Sequence, residues 1–378
     1  MKKKKTTDKA KDVDIHQIYK KLKDTKCSVV CFRFPYEKSV NLIAQWEDGI
    51  EKEGDPYFIF HPFLENENNP EVRITPQLWI RDNEILTGNL SDISFKKIEP
   101  PIFKTPVEEN KKEKYLNQLN RLIRLLNEKP EIKKVVLSRD KWIPKPEPFN
   151  EFSFFEQLCF HYPTAFIYMI YSPASGNWIG ASPETLVSTD KDKLRTMALA
   201  GTRNDDNWTE KEKNEQEIVE RYIVNLAAKL DLTMIHRDGP KTHDTGNLLH
   251  LRTDFEFDIS QVSPSFLEQL IDEFHPSPAV CGYPKQEALR VIREFESYDR
   301  AYYSGYLGLR EKQSSQIFVN LRCMKVLSNE IQLFAGGGIT PTSDALAEWE
   351  ETEAKTQTLL SVIEKMQNLA GNNGKTIE

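Results

Sequence analysis

AFIYMIYSPASGNWIGAS, residues 165–182, decides the fold class. An apolar run rich in aromatic and β-branched side chains enters SPASGN, and a second run, WIGAS at 178–182, leaves it. Two such runs around a turn containing Gly and Asn predict the antiparallel strands of a hairpin. Upstream, Tyr115, Leu119, Leu122 and Leu126 recur at helical spacing, Pro130 stops the helix, and a strand follows over 132–139. Still earlier, CSVVCFRF (27–34) and residues 56–60 read as strands, and 62–110, rich in Asn, Pro, Glu and Lys, as loops and short strands. Downstream, LRTMALAG (194–201) is a strand. A long helix then starts at Thr209, which stands with Glu212 at the spacing of a capping box. A helix over 284–296 and strands near 304–310, 315–326 and 330–335 come next. The last helix starts at Ser343 or Asp344 and runs to about 366. Hairpins with separate helices, rather than a regular βαβ alternation, predict an α+β fold. Residues 1–12 and 369–378 are polar and aperiodic, and are expected to be disordered tails; 13–110 and 111–368 form the two parts of the fold between them.

The chain has 378 residues, 39 % hydrophobic and 29 % charged, with a formal net charge of −7. That acidity argues against a nucleic-acid partner. No apolar run reaches the 18 residues of a membrane span, and the basic start MKKKKTTDKAKD has no apolar stretch behind it. The five cysteines, Cys27, Cys31, Cys159, Cys281 and Cys323, are scattered, odd in number and without zinc-site spacing. Reduced thiols and a cytoplasmic location are expected, with a monomer as the expected state.

Several residues carry possible chemistry. Glu215 extends the apolar stripe of Val219, Tyr222 and Leu226, where a buried carboxylate would need a cation or donors; spacing alone favours a charge of the exposed first turns. In AEWEETEAK, Glu351 and Lys355 are four apart, which also suits a surface ion pair. FAGGGITP (334–341) places Gly336, Gly337 and Gly338 between a strand and a helix, as an anion-binding approach or a tight turn. Lys134 heads an apolar strand and Glu184 lies in GASPE; they read as a base and an acid, or as ordinary strand-end charges.

Taken together, KVVLSR (134–139), GASPETL (180–186), ALAGTR (198–203), KEKNEQEIV (211–219), HPSPAVCG (275–282), ESYDRAYYSGYLG (296–308), NLRCMK (320–325), FAGGGI (334–339) and EWEETEAK (348–355) resemble the chorismate-utilising enzyme family, in its order. The resemblance implies packed antiparallel-rich sheets with peripheral helices, and a catalytic region over 111–368. It implies Mg²⁺ held by Glu215 and Glu351, Lys134 activating water, and Glu184 protonating the hydroxyl that leaves carbon 4 of chorismate. It implies that Arg322 and the backbone of Gly336–Gly338 receive the pyruvyl carboxylate, that Gly201 and Thr202 lie beside the substrate, and that His250, Lys355 and His275 support it. Ammonia-adding members generally carry another residue at Lys134, and aminodeoxychorismate-forming members carry lysine at Ala200. Conversion of chorismate to isochorismate, a precursor of menaquinone and catechol siderophores, is therefore expected. Further elimination of pyruvate to salicylate, or chorismate binding without catalysis, are the alternatives. Gln216 replaces the family's usual His, Gly337 its common Ala, and Ala345 its common Pro.

Overall fold

The computed structural model describes residues 13–46, 54–92 and 111–373. In chain order the helices are α1 (Ile15–Leu22), α2 (Lys111–Glu128), α3 (Glu151–His161), α4 (Glu210–Lys229), α5 (Pro264–Phe274), α6 (Lys285–Phe295) and α7 (Ala345–Asn373). The strands are β1 (Ser28–Arg33), β2 (Asn41–Gln45), β3 (Tyr57–His61), β4 (Val72–Ile74), β5 (Leu78–Arg81), β6 (Glu84–Thr87), β7 (Lys134–Pro144), β8 (Phe166–Ser172) and β9 (Gly176–Ser182). They continue with β10 (Thr185–Asp190), β11 (Lys193–Arg203), β12 (Thr233–Asp244), β13 (Leu249–Asp258), β14 (Gly282–Tyr283), β15 (Tyr306–Arg310), β16 (Ser314–Val319), β17 (Cys323–Val326) and β18 (Glu330–Ile339).

These strands form a ten-stranded sheet, β14-β7-β18-β17-β9-β8-β1-β2-β5-β6, and an eight-stranded sheet, β12-β13-β11-β10-β16-β15-β3-β4. The hairpin at 165–182 is β8–β9, with Phe166 opposite Ser182 and Ser172 opposite Gly176. Side chains alternate between the faces of a strand, and the alternation explains the layers. Val30 and Phe32 of β1, Phe166 and Tyr168 of β8, and Trp178 of β9 point between the sheets, where they meet Phe58, Phe60, Leu307 and Phe318 of the other sheet. The intervening Val29, Cys31, Ile167 and Met169 face outward, against α1, α3 and the later turns of α7. The second sheet is covered outside by α4 and α5 through Val219, Ile223, Leu226, Leu270 and Phe274. Burying each large apolar side chain is worth roughly 1.5–3 kcal/mol, so the aromatic layer fixes how the sheets sit on each other. The α+β class and the antiparallel packed sheets are as expected.

Some details differ from expectation. The FAGGG run is neither a turn nor a loop; it lies inside β18, with Gly336 opposite Ser138 and Gly338 opposite Val136 of β7. Helix α7 continues past 366 to Asn373, through 369–373 where the tail was expected. Helices α1, α3 and α5 and strands β12 and β13 lie outside the sequence expectations, although Asp14, Asn150 and Ser263 cap the three helices with their side chains. The expected tails at 1–12 and beyond 373, and the end of the 62–110 stretch from 93 on, lie outside the described residues. The described cysteines are all free. No described helix is long and apolar enough to cross a membrane.

Candidate active site

The starts of β7, α4, β13 and α7 and the ends of β9, β11 and β18 converge on one cleft, which encloses about 680 Å³ with its open mouth included. Lys134, Glu184, Gly201, Thr202, Glu215, His250, Arg322, Gly336, Gly338, Glu351 and Lys355 all line it. Two expected residues do not. Gly337 points to the other face of β18, where an added Cβ would stand 2.9 Å from Glu348 Oε2. His275 lies outside the cleft, packed on His61 and Tyr306 with Nε2 3.3 Å from the Phe63 carbonyl.

Lys134 is the first residue of β7 and is 2 % exposed; Glu184, in the corner between β9 and β10, is 4 % exposed. The Glu184 backbone is held because its carbonyl accepts from the Val319 N–H at 3.0 Å. Burial pushes its carboxyl up to about 8, although Lys134 and Lys355 pull the other way. Burial thus favours the protonated form of Glu184, within the field of the lysine expected to act as base.

The acidic side of the cleft comes from two helices. The Glu212 carboxylate accepts from the Thr209 N–H (3.0 Å) and hydroxyl (2.5 Å), which fixes the first turn of α4. One turn on, Glu215 is 4 % exposed, so the buried reading of its stripe holds. Its Oε1 lies 3.8 Å from Lys134 Nζ and has no hydrogen-bond donor among the described residues. Across from it, Lys355 Nζ donates to Glu351 Oε1 at 2.6 Å and to the Gly336 carbonyl at 2.8 Å. Burial alone would raise the Glu351 carboxyl; Lys355 and Lys211 outweigh it and hold it well below the usual range.

Glu348 joins this group, and the sequence reading missed it. It is buried against Lys211, whose Nζ stands 2.6 Å from Glu348 Oε1 in an ion pair without hydrogen-bond geometry. Burial and then Glu351 push its carboxyl up. Glu348, Glu351 and Lys355 share one face of α7 at spacings of three and four, and that spacing was the available signal. No set of three or more His, Cys, Asp or Glu among the described residues closes as a ready metal cage. Mg²⁺ does not need one, since it binds one or two carboxylates and keeps several waters. The orphaned Glu215 oxygen, the opposed Glu351 and the missing Cβ at Gly338, which would lie 2.0 Å from Glu215 Oε1, fit such an ion.

Beside Glu351 and Lys355 the cleft also carries Arg322 and His250. Arg322 Nη2 lies 3.1 Å from His250 Nε2, and Nη1 donates to the Lys355 carbonyl at 3.4 Å. A guanidinium only donates, so His250 Nε2 must accept and Nδ1 must carry the proton, which it gives to the Gly201 carbonyl at 2.9 Å. Burial, then Arg322 and Lys355, depress the imidazole to about 3, so His250 is a neutral prop. Burial lowers Arg322 to about 10, which leaves it cationic, on the cleft wall and paired only with the neutral His250 ring and the Lys355 carbonyl. Gly201, at φ +67°, turns β11 there in a conformation that suits glycine. Tyr303, Ser304, Leu321 and Phe334 also line the cleft and were not singled out from sequence.

A family model described as "Chorismate binding enzyme" matches residues 35–364. Isochorismate synthase EntC of Escherichia coli (strain K12) is 32 % identical over 248 residues, 62 % of this chain and 63 % of EntC, so the match spans less than two-thirds of that relative. Among solved structures, DhbC from Bacillus anthracis superposes with a TM-score of 0.73 at 23 % identity, covering 92 % of this chain and 98 % of that one. MenF, the menaquinone-specific isochorismate synthase from Escherichia coli, does so with a TM-score of 0.72 at 19 % identity, covering 93 % and 92 %. The family match takes in every cleft residue named above, and this chain belongs to the chorismate binding enzyme family.

Proposed function

We propose that the cleft interconverts chorismate and isochorismate, with Mg²⁺ as cofactor. The observation that carries this reading is that Glu184 and Lys134, both buried, line one cleft, where burial raises the Glu184 carboxyl. Curated relatives named isochorismate synthases support it. Bound at Glu215 and Glu351, Mg²⁺ would supply positive charge for the ring carboxylate. Arg322 offers a planar fork to the pyruvyl carboxylate, the geometry in which arginine pairs best. In its neutral form Lys134 takes a proton from water as the water oxygen bonds to ring carbon 2. The ring double bonds shift, the bond from carbon 4 to its hydroxyl breaks, and the hydroxyl leaves as water with the proton of Glu184. One water enters and one leaves, so the balance closes without a further reactant. The reverse direction needs the opposite protonation states.

Turnover in ¹⁸O-labelled water tests the reading. Label should appear in the hydroxyl at carbon 2 of the product. Unlabelled product would mean that the chorismate hydroxyl migrates without exchange and would remove Lys134 from its role. A lactate dehydrogenase-coupled assay in parallel should detect no pyruvate; stoichiometric pyruvate would make salicylate the product.

A further inference from the structure

Arg322 reaches the cleft from an unusual backbone. Its φ is +49°, in the left-handed region that residues with a Cβ avoid, and it sits in the short turn between β16 and β17. Such a conformation costs energy and persists only where the surroundings over-determine it. Here the surroundings centre on Asn320, which is fully buried at 0 % exposure.

All four polar atoms of Asn320 are engaged. Its Oδ1 accepts from the Tyr168 hydroxyl at 2.6 Å, and its Nδ2 donates to the Tyr302 carbonyl at 2.7 Å. Its N–H donates to the Gly305 carbonyl at 2.7 Å, and its carbonyl accepts from the Ser304 N–H at 2.9 Å. These bonds tie together three pieces of chain. One is β8, through Tyr168. Another is 302–305, which brings Tyr303 and Ser304 to the cleft wall and is itself left-handed at Ser304, φ +63°. The last is the turn that delivers Leu321 and Arg322. Only a side chain that accepts at one end and donates at the other satisfies both Tyr168 and Tyr302. Aspartate could serve Tyr168 alone, and leucine neither.

We propose that Asn320, clamped by Tyr168, is a positioning residue that sets Arg322 for the substrate carboxylate; this rests on the reading of Arg322 as the carboxylate anchor. An anchor used alike in ground and transition states appears in KM and not in kcat. Asn320→Leu should therefore raise KM for chorismate roughly five- to thirty-fold, the worth of one or two buried hydrogen bonds, and leave kcat nearly unchanged. Tyr168→Phe removes a single hydroxyl and should raise KM by a smaller factor in the same direction.

The test is steady-state kinetics in a double-mutant cycle with Arg322→Lys, with circular dichroism as folding control. If Asn320 acts through Arg322, its effect on KM should nearly vanish in the Arg322→Lys background, because coupled residues are not additive. A folded Asn320→Leu enzyme with wild-type KM, or one that loses the same factor in both backgrounds, overturns the proposal. Should Asn320→Leu not fold, Tyr168→Phe enters the same cycle under the same two criteria. Wild-type KM in Arg322→Lys alone would instead bring down the anchor reading, and the positioning role with it.

Discussion

At the scale of single residues, burial gives the cleft its chemistry. Glu184 at an ordinary carboxylate value would be ionised and useless as an acid; buried, it stays protonated to about 8. The sign of the pH dependence follows. Below about 8 Glu184 holds its proton, and as pH rises through that value the proton is lost and the forward rate should fall. A pH–rate profile checks this, and an alkaline limb absent from wild type would refute it. Glu184→Gln and Lys134→Ala should each lose roughly 10²–10⁴-fold in turnover, the usual worth of general acid–base groups, with circular dichroism unchanged. More than about a tenth of wild-type rate in either would exclude its role, being above even the weakest effect of that range. Glu215→Ala or Glu351→Ala should abolish turnover in a folded protein, and calorimetry of wild type should find only weak Mg²⁺ binding without substrate, because Mg²⁺ dehydrates reluctantly. Lys134, Glu184, Glu215 and Glu351 are legible in sequence because each stands in a motif whose order is itself informative. Glu348 is harder to read: among the four glutamates of AEWEETEAK its spacing from Glu351 and Lys355 is a weak mark, and its inward fold against Lys211 is set by tertiary packing.

At the scale of elements, β18 shows why the glycine run misleads. Glycine weakens a strand interior, so FAGGG reads as a tight turn or an anion-binding approach rather than as strand. The strand keeps its glycines because the two faces of β18 meet different side chains. An added Cβ at Gly338 would lie 2.0 Å from Glu215 Oε1 and 2.5 Å from Lys134 Cε, while one at Gly337 would meet the tip of Glu348 at 2.9 Å. Gly338→Ala should therefore displace Lys134, the proposed base, and Glu215 together and remove most of the activity. Gly337→Ala, toward the family's common residue, should retain most of it. Parallel turnover assays decide, and equal losses in both would show that the facing of β18 is misassigned. Helix α4 was readable to its first turn, because the Thr209–Glu212 box is local. Its docking was not, because the partners of Gln216, the Ala200 N–H and the Ala198 carbonyl, belong to β11.

At the scale of the whole molecule, the cleft exists because two sheets hold distant segments against each other. The ten-stranded sheet closes through β1 pairing with β8, Cys31 opposite Met169, and the eight-stranded sheet through β3 pairing with β15, Ile59 opposite Gly308. Such long-range pairing leaves no local periodic trace, so the fold class is legible from the 165–182 hairpin while the strand order is not. The same holds for β12, whose side chains are almost all exposed and whose polar sequence gives no alternation. The Phe and Tyr layer between the sheets makes the frame rigid, and the frame brings Lys134 from one sheet and Glu184 from the corner between both into one space. The central claim is that this space isomerises chorismate with Mg²⁺. The most direct measurement is product analysis by liquid chromatography after mixing the full chain with chorismate, with Mg²⁺ or with excess chelator. Isochorismate should form to a fixed ratio with chorismate when Mg²⁺ is present and not form with chelator; chorismate unchanged by folded protein in saturating Mg²⁺ would contradict the account.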